Sequence, residues 1–240
     1  MTNEMQQNVG MEERKMTTIN GFLMLFVAIA LLAAAAASFF MIGGGAGIAL
    51  CVVLFIVDCF VLGGFAVIRP NEAMVLTLFG KYSGTIKGEG FYWYNPFCSP
   101  VRYGKSSKIS LKAMTLESGQ QKINDELGNP VMIGIVVIWR VTNTAKAVFD
   151  VDDYEDYLAT QSDAALRSIV RQYPYDGFNN DAEKSLQGSS QEVADRLKEE
   201  IQSKVHIAGL EILEARITHL AYAPEIASAM LQRQQAAAII

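Results

Sequence analysis

Histidine is scarce in this chain, with two in 240 residues. His206 and His219 have no second ligand at a workable spacing, which argues against a zinc centre. The three cysteines, Cys51, Cys59 and Cys98, sit at no metal-ligand spacing. An odd count without an even framework gives no disulfide scaffold and fits a reducing compartment. A basic surplus is missing as well. The net charge of −5 excludes a general nucleic-acid binder. No Gly-x-Ser-x-Gly elbow is present, and no nucleophile has a base at a workable spacing. Gly104-Lys105-Ser106 echoes the end of a P-loop, but the upstream glycine position holds Ser99, so it reads as an exposed loop. Asp152, Asp153, Glu155 and Asp156 lack the oxygen-rich spacing of a calcium loop and read as the acidic first turn of a helix. The expectation is a protein that is not an enzyme, with no cofactor and no metal. A membrane-tethered hydrolase is the weaker alternative.

Charge is almost absent from two long stretches near the N-terminus. The first runs from about Gly21 to Ile42 and the second from about Ile48 to Ile68, joined by Gly43-Gly44-Gly45-Ala46-Gly47. Each is roughly 20 residues, which at ~1.5 Å per residue matches a hydrocarbon core of ~30 Å. They predict a membrane hairpin over residues 19–68, with two apolar helices and a turn at 43–47, after a cytoplasmic leader at 1–18. Ala35-Ala36-Ala37 mimics a signal-peptide cleavage site, but the run continues through Phe39 and Phe40, and a second segment follows at once. Arg14 and Lys15 precede the first run and Arg69 follows the second, while the connector carries no charge. The positive-inside rule then puts both ends and the soluble domain in the cytoplasm, on the cell membrane. Full crossing and a re-entrant hairpin both remain open. Gly43 and Gly47 have the Gly-x-x-x-Gly spacing that permits close helix approach, though glycines at a turn also simply permit the turn. Asp58 lies near the middle of the second run. A carboxylate there costs roughly 2.5–3.5 kcal/mol on insertion scales. It reads as a helix–helix contact, as a shallow solvated group, or as a transport residue.

Beyond the hairpin, Gly63-Gly64 reads as a flexible joint and Pro70 as a helix limit. Glu72 to Phe79 reads as a strand. Phe91, Tyr92, Trp93, Tyr94 and Phe97 crowd one short segment. They read either as a membrane-interface segment or as a strand with aromatics on both faces. Cys98 is a candidate for acylation, or a small apolar plug beside Pro96 and Pro100. Lys108 to Leu116 reads as a strand, Glu117 to Asn129 as a polar loop or hairpin, and Val131 to Val141 as a strand with both faces largely covered. The period then changes. Asp152 to Tyr173 reads as a helix, with Tyr154, Leu158, Ala165, Ile169 and Tyr173 on one stripe. Ser189 and Glu192 form a capping-box pattern. Val193, Leu197, Ile201 and Val205 follow as a buried stripe, and Gly209 as a stop. Leu210 to Tyr222 reads as a long strand, and Pro224 opens a last, Ala- and Gln-rich helix. Strands followed by helices argue for α+β.

Several segments in order carry a family likeness: Arg69-Pro70-Asn71-Glu72-Ala73, Leu78-Phe79-Gly80-Lys81-Tyr82, Gly88-Glu89-Gly90-Phe91 and Asn95-Pro96-Phe97. Asp125 to Val131, Gly209 to Thr218 and Tyr222-Ala223-Pro224-Glu225-Ile226 continue the series. From about Phe65 to Ile240 the chain resembles the SPFH, or Band 7, family of stomatin, prohibitin and flotillin, and most resembles bacterial stomatin-like members. The resemblance implies a mixed sheet with packed helices at 69–222 and the start of a long oligomerising helix at 223–240. It also implies large homo-oligomeric rings or cages that organise a membrane microdomain and restrain partners such as membrane-bound proteases. The implied partners are further copies of the chain, membrane lipid and such a protease, with no nucleic acid. Two long apolar runs depart from the single span or shallow hairpin of many relatives. An oligomeric channel or transport-associated subunit built around Asp58 is the alternative function.

Overall fold

The computed structural model describes residues 11–42, 44–176 and 185–237. The described chain is a mixed α+β protein that divides into two compact units, Met11–Lys112 and the part from Ala113 onward. The boundary expected after Ile68 therefore falls inside the first unit.

The first unit contains the two apolar helices, α1 (Gly21–Ile42) and α2 (Gly44–Leu62). Seven short strands surround their ends: β1 (Ile19–Asn20), β2 (Phe65–Ile68), β3 (Glu72–Leu78), β4 (Lys81–Lys87), β5 (Gly90–Trp93), β6 (Cys98–Pro100) and β7 (Ile109–Ser110). One sheet has the order β1-β5-β2, and a second has β4-β3-β6 with β7 also on β3. All of these pairings are antiparallel. Ile68, Met74, Leu76, Ile86, Tyr94 and Cys98 form the core between the strands.

Two expectations need correction here. The second apolar run is not helical to its end: the helix stops at Leu62, and Phe65–Ile68 pairs with Gly90–Trp93. A glycine pair ends the helix, and the following β-branched and aromatic residues favour a strand. Nor is Gly64 a loose joint. A Cβ there would collide with the Tyr94 carbonyl oxygen and the Trp93 indole, and the Gly64 carbonyl accepts from the Tyr94 N–H at 2.9 Å.

The second unit is one antiparallel sheet of long strands, β8 (Met114–Asn124), β9 (Pro130–Val141) and β10 (Leu210–Tyr222), in the order β10-β9-β8. Its helices are α3 (Thr144–Phe149), α4 (Tyr154–Val170), α5 (Ser190–Val205) and α6 (Pro224–Ala237). Alternate residues of β9, from Val131 through Ile133, Ile135, Val137 and Trp139 to Val141, are buried. Leu158, Leu166, Leu197 and Ile201 are buried on α4 and α5. Trp139 meets Tyr154 edge-on at 5.9 Å. The expected coverage of both β9 faces is corrected to one: Met132, Val136 and Ile138 are only half-buried.

Lys108 to Leu116 is not one strand, since Ile109–Ser110 pairs with β3 while Met114 begins β8. Of the polar stretch expected as a loop or hairpin, residues 117–124 complete β8 and residues 125–129 form the turn into β9. β8 is an edge strand whose side chains alternate between exposed and half-buried, with a register shift between Ser118 and Gln121. An edge strand tolerates polar residues because one face and one side meet water. Asp153 caps α4, its carboxylate accepting from the Glu155 and Asp156 N–H groups at 2.9 and 3.1 Å. The capping box at Ser189 does not form: Ser189 makes no side-chain cap bond, and Glu192 instead pairs with Arg196 at 3.1 Å. A single 3-10 turn, His206–Ala208, follows α5 and ends at Gly209, whose φ of +66° requires glycine. Part of the loop expected at Tyr175 to Gly188 lies outside the described residues.

Candidate membrane-interface site

The two apolar helices present most of their side chains outward, as lipid-facing helices do. What they bury is small. On α1 the buried residues are Gly21, Ala28, Ala35 and Ser38, and on α2 they are Gly47 and Asp58. Ala28 and Ala35 lie seven residues apart, the spacing of a helix–helix seam, whereas Gly21 is covered by Phe91 of β5. At Gly47 a Cβ would lie 2.9 Å from the Ser38 carbonyl oxygen, so the backbones approach closely there. Gly43 lies outside the described residues.

Asp58 faces this seam and is 1 % exposed. One of its carboxylate oxygens, Oδ1, has no hydrogen-bond partner. Because α2 ends at Leu62, Asp58 stands one turn from the helix end and not at mid-run.

The aromatic segment is a strand. β5 lies between β1, which leads into α1, and β2, which follows α2. Phe91 stacks on Phe65 at 5.2 Å and meets Phe22 of α1 edge-on at 5.3 Å. The Trp93 indole N–H donates to the Val61 carbonyl at 2.7 Å, a second bond to an acceptor that also takes the Gly64 N–H at 3.2 Å at the end of α2. Tyr92 donates to the Glu89 carbonyl at 3.1 Å. Tyr94 is buried, and burial, then the neighbouring Cys98, pushes its phenol above the usual range. Phe97 is exposed and lies 5.9 Å from Phe60 of α2. Four of the five aromatics thus sit on or beside the strand that gathers both ends of the hairpin, and the fifth touches the helix itself. Cys98 is 4 % exposed within the strand core, so acylation there would require that core to open.

The N-terminal segment pairs over a long range. The segment before α1 is a strap over the sheet that follows α2. Thr85 donates its N–H to the Arg14 carbonyl at 2.8 Å, and Met16 donates to the Thr85 carbonyl at 3.0 Å. Glu13 pairs with Lys87, and the Arg14 N–H donates to the Tyr82 hydroxyl at 3.1 Å. Gly84 leaves the room, since a Cβ there would come within 2.9 Å of Met16 Cα. No short-range pattern encodes a pairing across 68 residues. The glycine at 84 is the single local trace of it.

Comparison with known proteins bears on the same region. The model of the SPFH domain / Band 7 family matches residues 66–240. The modulator of FtsH protease HflK of Escherichia coli (strain K12) is 31 % identical over 121 residues, 50 % of this chain and 27 % of that protein. Protein HflK of Buchnera aphidicola is 31 % identical over 118 residues, covering 49 % of this chain and 27 % of that one. An uncharacterised protein of Archaeoglobus fulgidus is 26 % identical over 132 residues, covering 55 % of this chain and 51 % of its own length. The matched segment thus spans about a quarter of each HflK protein.

Proposed function

Because this membrane chain belongs to the SPFH domain / Band 7 family, we propose that it is a non-enzymatic scaffold. It assembles into a ring or cage and organises a patch of membrane. It encloses or regulates partner membrane proteins, a membrane-bound protease among them. The observation that carries this reading is the family match over residues 66–240 joined to two apolar helices. The likeness to a protein named as a modulator of a protease supplies the class of partner. Both ends of the hairpin lie on one side of the membrane, a reading supported by the hydrogen bonds between Arg14, Met16 and Thr85. The flanking Arg14, Lys15 and Arg69 make that side the cytoplasm. The aromatics from Phe91 to Phe97 mark the headgroup level. Copies associate through helix α6.

Detergent-solubilised protein, measured by light scattering and negative-stain imaging, tests the assembly. A closed particle of many copies supports it, and a monomer overturns the fence. Co-purification of a membrane-bound protease from the native membrane tests the partner.

The channel alternative rests on Asp58. Its place in the hairpin's own seam favours a contact between the two helices over a pore lining. Asp58→Asn in proteoliposomes checks this, with flux in the wild type that the variant loses as the result favouring a channel.

A further inference from the structure

The turn between β3 and β4 is built against the local rules. Leu78 pairs with Lys81, leaving Phe79 and Gly80 as a two-residue loop. Both have positive φ, +48° and +82°. Loops of this length with two positive φ values belong to the type that favours Asn, Asp or Gly at its first position. A bulky aromatic residue there is an outlier, and such strain concentrates at functional positions. Phe79 gains nothing from the fold in return, being 85 % exposed.

What Phe79 does approach is Phe97, which borders the membrane helix. Its ring lies 6.4 Å from that of Phe97, which is 57 % exposed, and Phe97 lies 5.9 Å from Phe60. Phe60 is on the outward face of α2, two residues before its end. The three rings continue the lipid-facing surface of α2 onto the strand layer. The charge balance agrees. Residues 11–112 hold nine Lys and Arg against five Asp and Glu, whereas residues 113–240 hold eleven against nineteen. Lys81, directly after the turn, is exposed. An aromatic tip beside a cation, on a basic unit that carries the spans, matches the headgroup layer of an anionic leaflet.

We propose that Phe79 and Phe97 form a tip that inserts into the headgroup and upper acyl region of an anionic membrane beside α2, with Lys81 facing lipid phosphate or carboxylate. The inference rests on the membrane-anchored reading above and adds a lipid-contacting turn to it. The ring of Phe79 is held out of the protein so that lipid covers it.

The test uses the full chain in proteoliposomes. Phe79→Trp adds one tryptophan to Trp93 and Trp139, whose emission is subtracted using the wild type. Lipids brominated at shallow or deep acyl positions then report depth. The added emission is expected to be blue-shifted, and quenched more by shallow than by deep bromines. Hydrogen exchange at the β3–β4 turn should be slower with anionic than with zwitterionic lipid. Phe79→Asn, whose side chain suits the positive φ, should keep or raise thermal stability while losing that protection. Emission typical of water, unquenched by any brominated lipid, overturns the proposal. So does blue-shifted but unquenched emission, which would mean that a second copy or another protein covers the ring. Exchange indifferent to lipid charge overturns the anionic preference. Flotation with vesicles after carbonate washing separates the causes. If the wild type floats and the tip fails these tests, only the tip falls. If it does not float, the anchored reading falls as well, and the tip with it.

Discussion

The two units solve the same problem with opposite means. The unit from Ala113 onward uses strands of 11 to 13 residues and two amphipathic helices to bury a continuous core. The Met11–Lys112 unit uses strands of two to seven residues, none long enough to define a core alone. It gains order from chain segments that border the apolar helices: the strap at 13–16, β1 before α1 and β2 after α2. One unit is organised by side-chain periodicity, the other by where its chain ends are held. The first kind of order is local and readable, and the second is not.

The largest effect that separates the two is a core deletion in the periodic unit. Leu197 is fully buried, so Leu197→Ala should cost about 2–5 kcal/mol. Hydrogen exchange in detergent should then show faster opening of α4, α5 and the long strands, with the β1-β5-β2 sheet unchanged. Spread of the loss into that sheet would show that the units unfold together. Next is Gly209→Ala, which forces a Cβ into the left-handed region and against the Asn143 carbonyl. It should cost about 2 kcal/mol, read as a lower melting temperature.

A pH dependence belongs to the same unit. Burial, then the charges of Glu155 and Asp153, push the Tyr154 phenol up to about 12 from 10.0. The folded chain therefore holds a proton that the unfolded chain releases near 10. The stability this lends is complete below pH 10 and is lost as pH rises from 10 towards 12. Tyr154→Phe should flatten that part of an alkaline stability profile. An identical profile in both proteins would assign the alkaline loss to other groups.

The smallest effect sharpens the reading of local signals. Asp153→Ala should cost ~1 kcal/mol, because two N–H groups lose their acceptor. Ser189→Ala should cost measurably less, because Ser189 makes no side-chain cap bond. Equal losses in thermal denaturation would mean that Ser189 caps α5 in solution.

That pair also shows what the sequence could tell. β10 runs from Leu210 to Tyr222 as read, and the stripes of α4 and α5 are buried as read, because apolar periodicity is a local signal. The family was legible in motif order across residues 69–226 and is matched by the family model over 66–240. Most of β8 stayed undecided between loop and hairpin because polar residues on an edge strand resemble a loop. Phe65–Ile68 escaped because an apolar strand joined to an apolar helix has no change of composition to mark it. The short helix α3 was missed, although Asn143 accepts from the Lys146 N–H at 3.0 Å as a cap. At the candidate membrane site, the crowd of aromatics and Asp58 were visible as residue types. The bond from Trp93 to Val61 and the burial of Asp58 were set by contacts that the linear pattern does not carry.

The strap has a consequence in time. Its hydrogen bonds join residues 68 positions apart, so Arg14 leaves the ribosome long before Tyr82 exists. At ~5–20 residues per second of synthesis, the wait is roughly 3 to 14 s. During that interval both apolar helices are made and must enter the bilayer, while the N-terminal segment has no sheet to join. On the proposed topology the segment stays on the side where it began, where the strand it will complete also emerges. Biogenesis thus passes through a stage with the anchor inserted and its seam unfinished, and the arrival of β4 marks when the membrane unit closes.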